Sequence, residues 1–284
     1  MNNLQEGFTL HNGLSIPCIG FGTWQIPEGE TAVTTVKNAI ACGYRHIDTA
    51  AAYQNEGSVG RAVRESGVNR DELFITTKLW NSDHGYDKTL RAFENSMRLL
   101  GLETLDLYLI HWPVPVGHQH DYRELNAQTW RAFEELYHAG RVKAIGVSNF
   151  LQHHIDELLE DGASIKPMVN QIELHPEHVQ PELSLYCKNN GILVEAWSPL
   201  MQGRIFKLPL MRELSEKYGK SVSQVAIRWL LQKGVLPLPK ASSPEHIAQN
   251  ADVFGFALSE GDVAQIDALK GMGRIGPDPD NINF

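Results

Sequence analysis

Leu73-Phe74-Ile75-Thr76-Thr77-Lys78-Leu79-Trp80, then residues 86–99, then Leu105-Asp106-Leu107-Tyr108-Leu109-Ile110-His111, form the stretch that sets the fold. Two short apolar runs flank one amphipathic segment. In that segment Leu90, Phe93 and Met97 recur at helical spacing, with Leu100 beyond them. The flanking runs read as strands of a parallel sheet, which is covered on both faces and shows little polar alternation. The unit is a strand followed by a helix.

The same unit recurs outward in both directions. Strand-like runs lie at 45–48, 142–148, 167–174, 193–197 and 236–239, with a weaker eighth at 251–254. Helical patterns fall between them, at 30–41, 127–139, 155–159 and 222–232. Eight such units in about 250 residues predict the α/β class, as a closed (β/α)8 barrel. An open doubly wound sheet is the alternative, but no GxGxxG follows the first strand. Phe8, Leu10, Leu14 and Ile16 flank His11-Asn12-Gly13, which predicts an N-terminal hairpin. The Gly-, Pro- and Asp-rich residues 271–284 read as a C-terminal loop over the active-site face. No linker or change of composition divides the chain, so 1–284 reads as one barrel domain.

Composition excludes several function classes. The 284 residues are 42% hydrophobic and 21% charged, as in ordinary globular proteins. No apolar run is long enough for a membrane span. Residues 1–10 have no basic start and no apolar core of a signal peptide, so the expected compartment is the cytoplasm. A net charge of -9 without blocks of like charge argues against a nucleic-acid or anionic-membrane surface. The 3 cysteines, Cys18, Cys42 and Cys187, have no metal-type spacing and read as reduced thiols.

Barrel chemistry belongs at the C-terminal strand ends. Counted from residue 45, the first strand ends in Asp48, with Tyr53 just beyond, and the second ends near Lys78. The third ends in His111, the fourth in Ser148-Asn149. The fifth carries Asn170, Gln171 and Glu173, the sixth ends in Trp197-Ser198, and the seventh in Lys240. A lysine inside an apolar run is desolvated, which lowers its pKa unless a carboxylate pairs with it. Asp48 is the natural partner. A phenol beside the ammonium has its phenolate stabilised, so the Tyr53 pKa is expected to fall and suit it as a general acid. His111 can polarise a carbonyl.

Each residue also has an ordinary structural role. An aspartate at a strand end is commonly a cap, a histidine after an apolar run a satisfied core residue, and a lysine in a strand an edge guard. Four together on neighbouring strand ends argue for a site. Two chemistries stay open on residues alone: carbonyl reduction with Tyr53 as acid, and a lyase that uses Lys78 as a Schiff base.

Several motifs then resemble the aldo-keto reductase superfamily. They are Gly43-Tyr44-Arg45-His46-Ile47-Asp48-Thr49-Ala50 with Tyr53-Gln54-Asn55-Glu56, and Leu105 to His111 with Trp112-Pro113. Gly146-Val147-Ser148-Asn149-Phe150, Asn170-Gln171-Ile172-Glu173, Glu195-Ala196-Trp197-Ser198-Pro199-Leu200 and Leu238-Pro239-Lys240 complete the set. The match spans nearly the whole chain. Within the superfamily it is similar to the bacterial branch of 2,5-diketo-D-gluconate reductases and glyoxal or methylglyoxal reductases. The short loop after Pro113 and the short tail suit that branch.

The resemblance implies a catalytic tetrad of Asp48, Tyr53, Lys78 and His111, a nicotinamide cofactor and no metal. It places the nicotinamide against Ser148, Asn149, Gln171 and the face of Trp197. Gly22, Thr23, Trp24, Ser198, Leu200, Gln202 and Gly203 would line the ribose and pyrophosphate. Trp24, Trp80, His111, Trp112 and Asn149 would line a mouth for small carbonyl substrates. It also implies a monomer, and it admits a sensing barrel with little turnover as another reading.

The segment after residue 239 departs from the pattern. Lys240, Ala241, Ser242, His246, Gln249 and Asn250 fall where NADPH-preferring relatives hold the 2'-phosphate. Those relatives have Ser at position 241, Arg at 246 and frequently Glu at 249. A hydroxyl donor and a permanent cation are therefore missing. NADPH is the first expectation, with NADH use alongside it.

Overall fold

The computed structural model describes residues 1–284. A hairpin comes first: β1 (Gly7–Thr9) pairs antiparallel with β2 (Ser15–Pro17), in the register Phe8 opposite Ile16. Its loop is closed by Leu10 N–H donating to Leu14 O at 2.9 Å and Gly13 N–H donating to Leu10 O at 2.8 Å. Gly13 adopts φ 87°, which a residue without Cβ accepts freely. Side chains of the loop reach Lys143 O and Lys166 O, at the entrances of two barrel strands. The hairpin therefore plugs the bottom of the barrel.

The barrel strands and helices then alternate. They run β3 (Gly20–Gly22), α1 (Glu30–Ala41), β4 (His46–Asp48), α2 (Glu56–Glu65), β5 (Phe74–Leu79), α3 (Tyr86–Leu100), β6 (Leu105–Ile110) and α4 (Tyr122–His138). Next come β7 (Val142–Ser148), α5 (Gln152–Glu160), β8 (Val169–Glu173), α6 (Pro181–Asn189), β9 (Leu193–Trp197), α7 (Pro209–Tyr218) and α8 (Val222–Gln232). Last are β10 (Leu236–Pro237), α9 (Pro244–Ala251) and α10 (Glu260–Asp267). Every neighbouring pair from β3 to β10 is parallel. Gly22 N–H donates to Pro239 O at 3.1 Å and draws the two end strands together. The eight-stranded (β/α)8 barrel with its N-terminal hairpin is the expected fold.

One strand assignment is corrected. Residues 251–254 are not a strand, because Ala251 ends α9. The remaining strand is β3, Gly-Phe-Gly, ahead of all the runs that apolar content marks. Close approach requires glycine at position 20. A Cβ at Gly20 would lie 2.3 Å from Leu238 Cδ2 and 2.6 Å from His46 Nδ1. A strand that packs through missing side chains leaves no apolar periodicity to detect. Asp48 therefore ends the second barrel strand, and Lys240 follows the eighth.

Most helices bury one face, as amphipathic patterns demand, whereas α8 is buried nearly all round. In α3 the buried set includes Phe93, Met97 and Leu100, three of the four residues that marked it. Helix α4 starts at Tyr122, well before the apolar pattern does. No helix is long and apolar enough to cross a membrane.

Candidate active site

The C-terminal strand ends open into a cavity of about 1000 Å³, large among ligand sites. Behind its floor Lys78, fully buried on β5, donates to Asp48 Oδ1 at 2.6 Å and to Thr49 O at 2.9 Å. Its Nζ also lies 3.4 Å from the Tyr53 hydroxyl. Tyr53 ends a 3₁₀ turn, Ala51–Tyr53, that follows β4. Its ring meets the His111 ring edge to face, with centroids 5.7 Å apart. The four residues singled out from three strand ends are thus assembled in one place.

Electrostatics there follow from burial and pairing. Burial pushes the Lys78 ammonium down, but Asp48 and Tyr53 outweigh it, so its pKa lies above the usual lysine value. The Tyr53 expectation is reversed in sign. Burial lifts its pKa above the ordinary phenol value, and the opposing pull of Lys78 does not cancel the lift. Tyr53 is therefore a protonated hydroxyl at neutral pH. Burial, then Lys78, hold the His111 imidazole well below its usual pKa, so it is neutral.

Further round the mouth, Ser148 Oγ donates to Gln171 O at 2.8 Å, and Asn149 Nδ2 donates to His111 O at 2.9 Å. Trp197 Nε1 donates to Asn149 Oδ1 at 2.8 Å. These bonds hold Asn149 at φ 63°, a left-handed conformation that asparagine tolerates better than most residues. A second left-handed stretch, Ser198 and Gln202 with Gly203, follows β9 along the wall.

Most of the expected site residues line this one cavity. Gly22, Trp24, Ser148, Asn149, Gln171 and Trp197 face it, as do Ser198, Leu200, Gln202 and Gly203. At the far end are Lys240, Ala241, His246, Gln249 and Asn250, and at the mouth Trp80, His111 and Trp112. Three residues do not. Thr23 is buried, its hydroxyl donating to Asp48 O at 2.9 Å, so it supports β4 from behind. Lys78 lies behind Asp48 and Tyr53. Ser242 is exposed, where the chain enters α9, and is not part of the cavity lining.

The structure adds contacts that the motifs did not foretell. Phe284 lines the mouth, stacks on Trp80 at 5.8 Å and meets Trp112 edge-on at 5.6 Å. No local signal could place the last residue against Trp80. Glu173 holds the tail: its carboxylate accepts N–H bonds from Ile275 at 2.6 Å and Gly276 at 2.9 Å. Asp280 is held against His153 and His154, three residues whose ligand-type atoms lie within 4.8 Å of one another. There His154 Nδ1 accepts Leu151 N–H at 3.1 Å, which leaves its proton on Nε2, facing Asp280. That tautomer makes the group an anchor for the tail. Glu195 is fully buried beneath the site, a carboxylate inside the apolar run 193–197 just as Lys78 is an ammonium inside 73–80.

The sequence model of the aldo/keto reductase family matches residues 18–270. The chain belongs to the aldo/keto reductase family. The glyoxal reductase of Bacillus subtilis (strain 168) is 51% identical over 282 residues, covering 99% of each chain. The methylglyoxal reductase DkgA of Escherichia coli (strain K12) is 42% identical over 273 residues, with 95% of this chain and 96% of that one covered. A variant of Gox0644 crystallised with NADPH is 41% identical, with a TM-score of 0.91 and 99% of each chain covered. This aldo/keto reductase is accordingly an oxidoreductase on the barrel described above.

Proposed function

We propose that the protein reduces small aldehydes, ketoaldehydes and keto-sugars to alcohols with NAD(P)H, and that Tyr53 is the proton donor. The observation that carries this reading is the Tyr53 hydroxyl: protonated, at the cavity floor, 3.4 Å from the Lys78 ammonium and beside a neutral His111. A cofactor held in this cavity would supply a hydride from its nicotinamide to the carbonyl carbon. The carbonyl oxygen takes the electron pair of the broken π bond and then the proton of Tyr53. Lys78 stabilises the phenolate left behind, and Asp48 holds Lys78 in place. His111, neutral and in edge contact with Tyr53, orients the carbonyl oxygen through a ring N–H.

The lining fits a dinucleotide. Ser148, Asn149 and Gln171 offer hydroxyl and amide groups for a carboxamide, and Trp197 offers a flat face. Lys240, at the far end of the same cavity, suits a phosphate. NADPH is our first choice, supported by Lys240 and by the Gox0644 complex. NADH is used as well, because Ala241 lacks a hydroxyl and His246 lacks a permanent charge. The two relatives named for glyoxal and methylglyoxal support the substrate class. A Schiff-base role for Lys78 needs a neutral amine facing substrate, whereas Lys78 is fully buried, ion-paired and held above its usual pKa.

Tyr53→Phe tests the proton donor. It is expected to abolish turnover of methylglyoxal and to leave cofactor quenching of tryptophan fluorescence intact. Retained turnover refutes the assignment.

A further inference from the structure

Glu195 is fully buried inside the barrel, on β9. It accepts one hydrogen bond, from Gln171 Nε2 to its Oε2 at 2.8 Å. The same nitrogen donates to Asp48 Oδ2 at 2.9 Å. Glu195 Oε1 is buried without a partner. Asp48 is bonded to Lys78, and Lys78 approaches Tyr53. A continuous chain therefore joins Glu195, Gln171, Asp48, Lys78 and Tyr53.

Charge counting decides the protonation of this chain. Two carboxyl groups share one ammonium, and the amide of Gln171 neutralises neither. With both carboxylates ionised, the sealed cluster carries a net negative charge, which a low-dielectric interior opposes strongly. With one proton on the pair the cluster is neutral. Asp48 keeps the anion because Lys78 bonds to it directly. The proton falls to Glu195, which has no cation and whose Oε1 would be an unsolvated anionic oxygen.

We propose that Glu195 is a positioning residue that stays a neutral acid through the neutral range, and that its ionisation sets the alkaline limit of proton donation by Tyr53. The second half rests on Tyr53 being the proton donor. Burial, and next the Asp48 carboxylate, push the Glu195 carboxyl up to about 8, against the opposing pulls of Gln171 and Lys78. The charged groups facing it are Asp48 on β4 and Lys78 on β5. Strand β8 turns the neutral Gln171 to it, and β10, in register at Leu236, contains no ionisable residue. An ionised Glu195 adds negative charge to the chain that runs through Gln171, Asp48 and Lys78 to Tyr53, whose phenol must become a phenolate. Reduction therefore slows as pH rises through this titration. Alcohol oxidation, which needs Tyr53 deprotonated, is pushed to higher pH by the same charge.

The test compares pH profiles of kcat in both directions, at saturating cofactor, for the wild type and Glu195→Gln. The wild-type reduction profile is expected to fall with one ionisation near 8. The variant loses that ionisation, and its oxidation midpoint drops by about one pH unit or more. A carboxyl that serves packing alone leaves both profiles superposed, which overturns the proposal. An infrared difference spectrum, wild type minus variant, reads the proton without turnover. A carboxylic C=O band at about pH 6 that bleaches near 8 supports the proposal, and its absence overturns it. Should Glu195→Gln not fold, Glu56→Gln removes the other buried carboxyl that is raised above its usual value. The band persists in that variant if it belongs to Glu195, and its loss overturns the proposal. Turnover by Tyr53→Phe would refute the proton donor while leaving the infrared result standing.

Discussion

Trp197 donates its indole N–H to the side-chain oxygen of Asn149 at 2.8 Å. The bond joins the ends of two strands that are not neighbours, since β8 lies between β7 and β9. It fixes both the ring face we assign to the nicotinamide and an amide we assign to its carboxamide. Trp197→Phe keeps a flat face but leaves the Asn149 oxygen unpaired, a loss of about 1–3 kcal/mol. The expected result is a cofactor Kd raised roughly tenfold, with kcat changed less. Calorimetric titration measures it, and an unchanged Kd would show that the bond does not organise the cofactor site.

Lys78→Met removes the only cation bonded to Asp48. An uncompensated carboxylate remains in the barrel interior, where breaking such a pair costs about 3–5 kcal/mol. Denaturant unfolding is expected to show that loss, together with near-complete loss of turnover. The double variant Asp48→Asn with Lys78→Met should recover most of the stability and none of the activity. Recovery of activity would mean that the ammonium is dispensable for the chemistry.

The phosphate end yields a third prediction. Wild-type kcat/KM should favour NADPH over NADH by less than about 1000-fold. Ala241→Ser with His246→Arg adds a hydroxyl and a permanent cation at the end of the cavity. Each charged hydrogen bond to phosphate contributes about 1.5–3 kcal/mol, so one new bond should raise the NADPH preference roughly 10- to 150-fold, and two should raise it further. No rise would place the 2'-phosphate elsewhere.

Acid stability is set partly by two buried imidazoles. Burial, then Lys78, hold His46 down at about 3, and burial, then His118 and Lys88, hold His84 at about 3. The unfolded chain takes these protons near 6.5 while the folded chain refuses them down to about 3. Stability therefore falls as pH falls between those values. With both groups engaged the slope is about 2.7 kcal/mol per pH unit at pH ~4–5. Urea unfolding across that range measures it, and His84→Asn should lower the slope by about 1.4 kcal/mol per pH unit. A flat profile would contradict the neutral folded forms.

The barrel was legible because β5, β6 and β7 are short runs rich in apolar residues and α3 keeps its helical spacing. Asp48, Lys78 and His111 were legible for a related reason, since ionisable side chains at the ends of such runs are costly unless used. Strand β3 was not, because Gly20 and Gly22 pack by the absence of side chains. The direction of the Tyr53 pKa was not, because it depends on how far burial outweighs one ammonium. Thus the sequence alone determined the fold class and the family and offered candidate site residues, all of which follow from pattern and motif. Tertiary structure decided that Glu195 and Asp48 share Gln171, that Phe284 closes against Trp80, and that Glu173 holds Ile275 and Gly276. Those contacts join residues 24 to 204 positions apart, and no local preference encodes a distance of that kind.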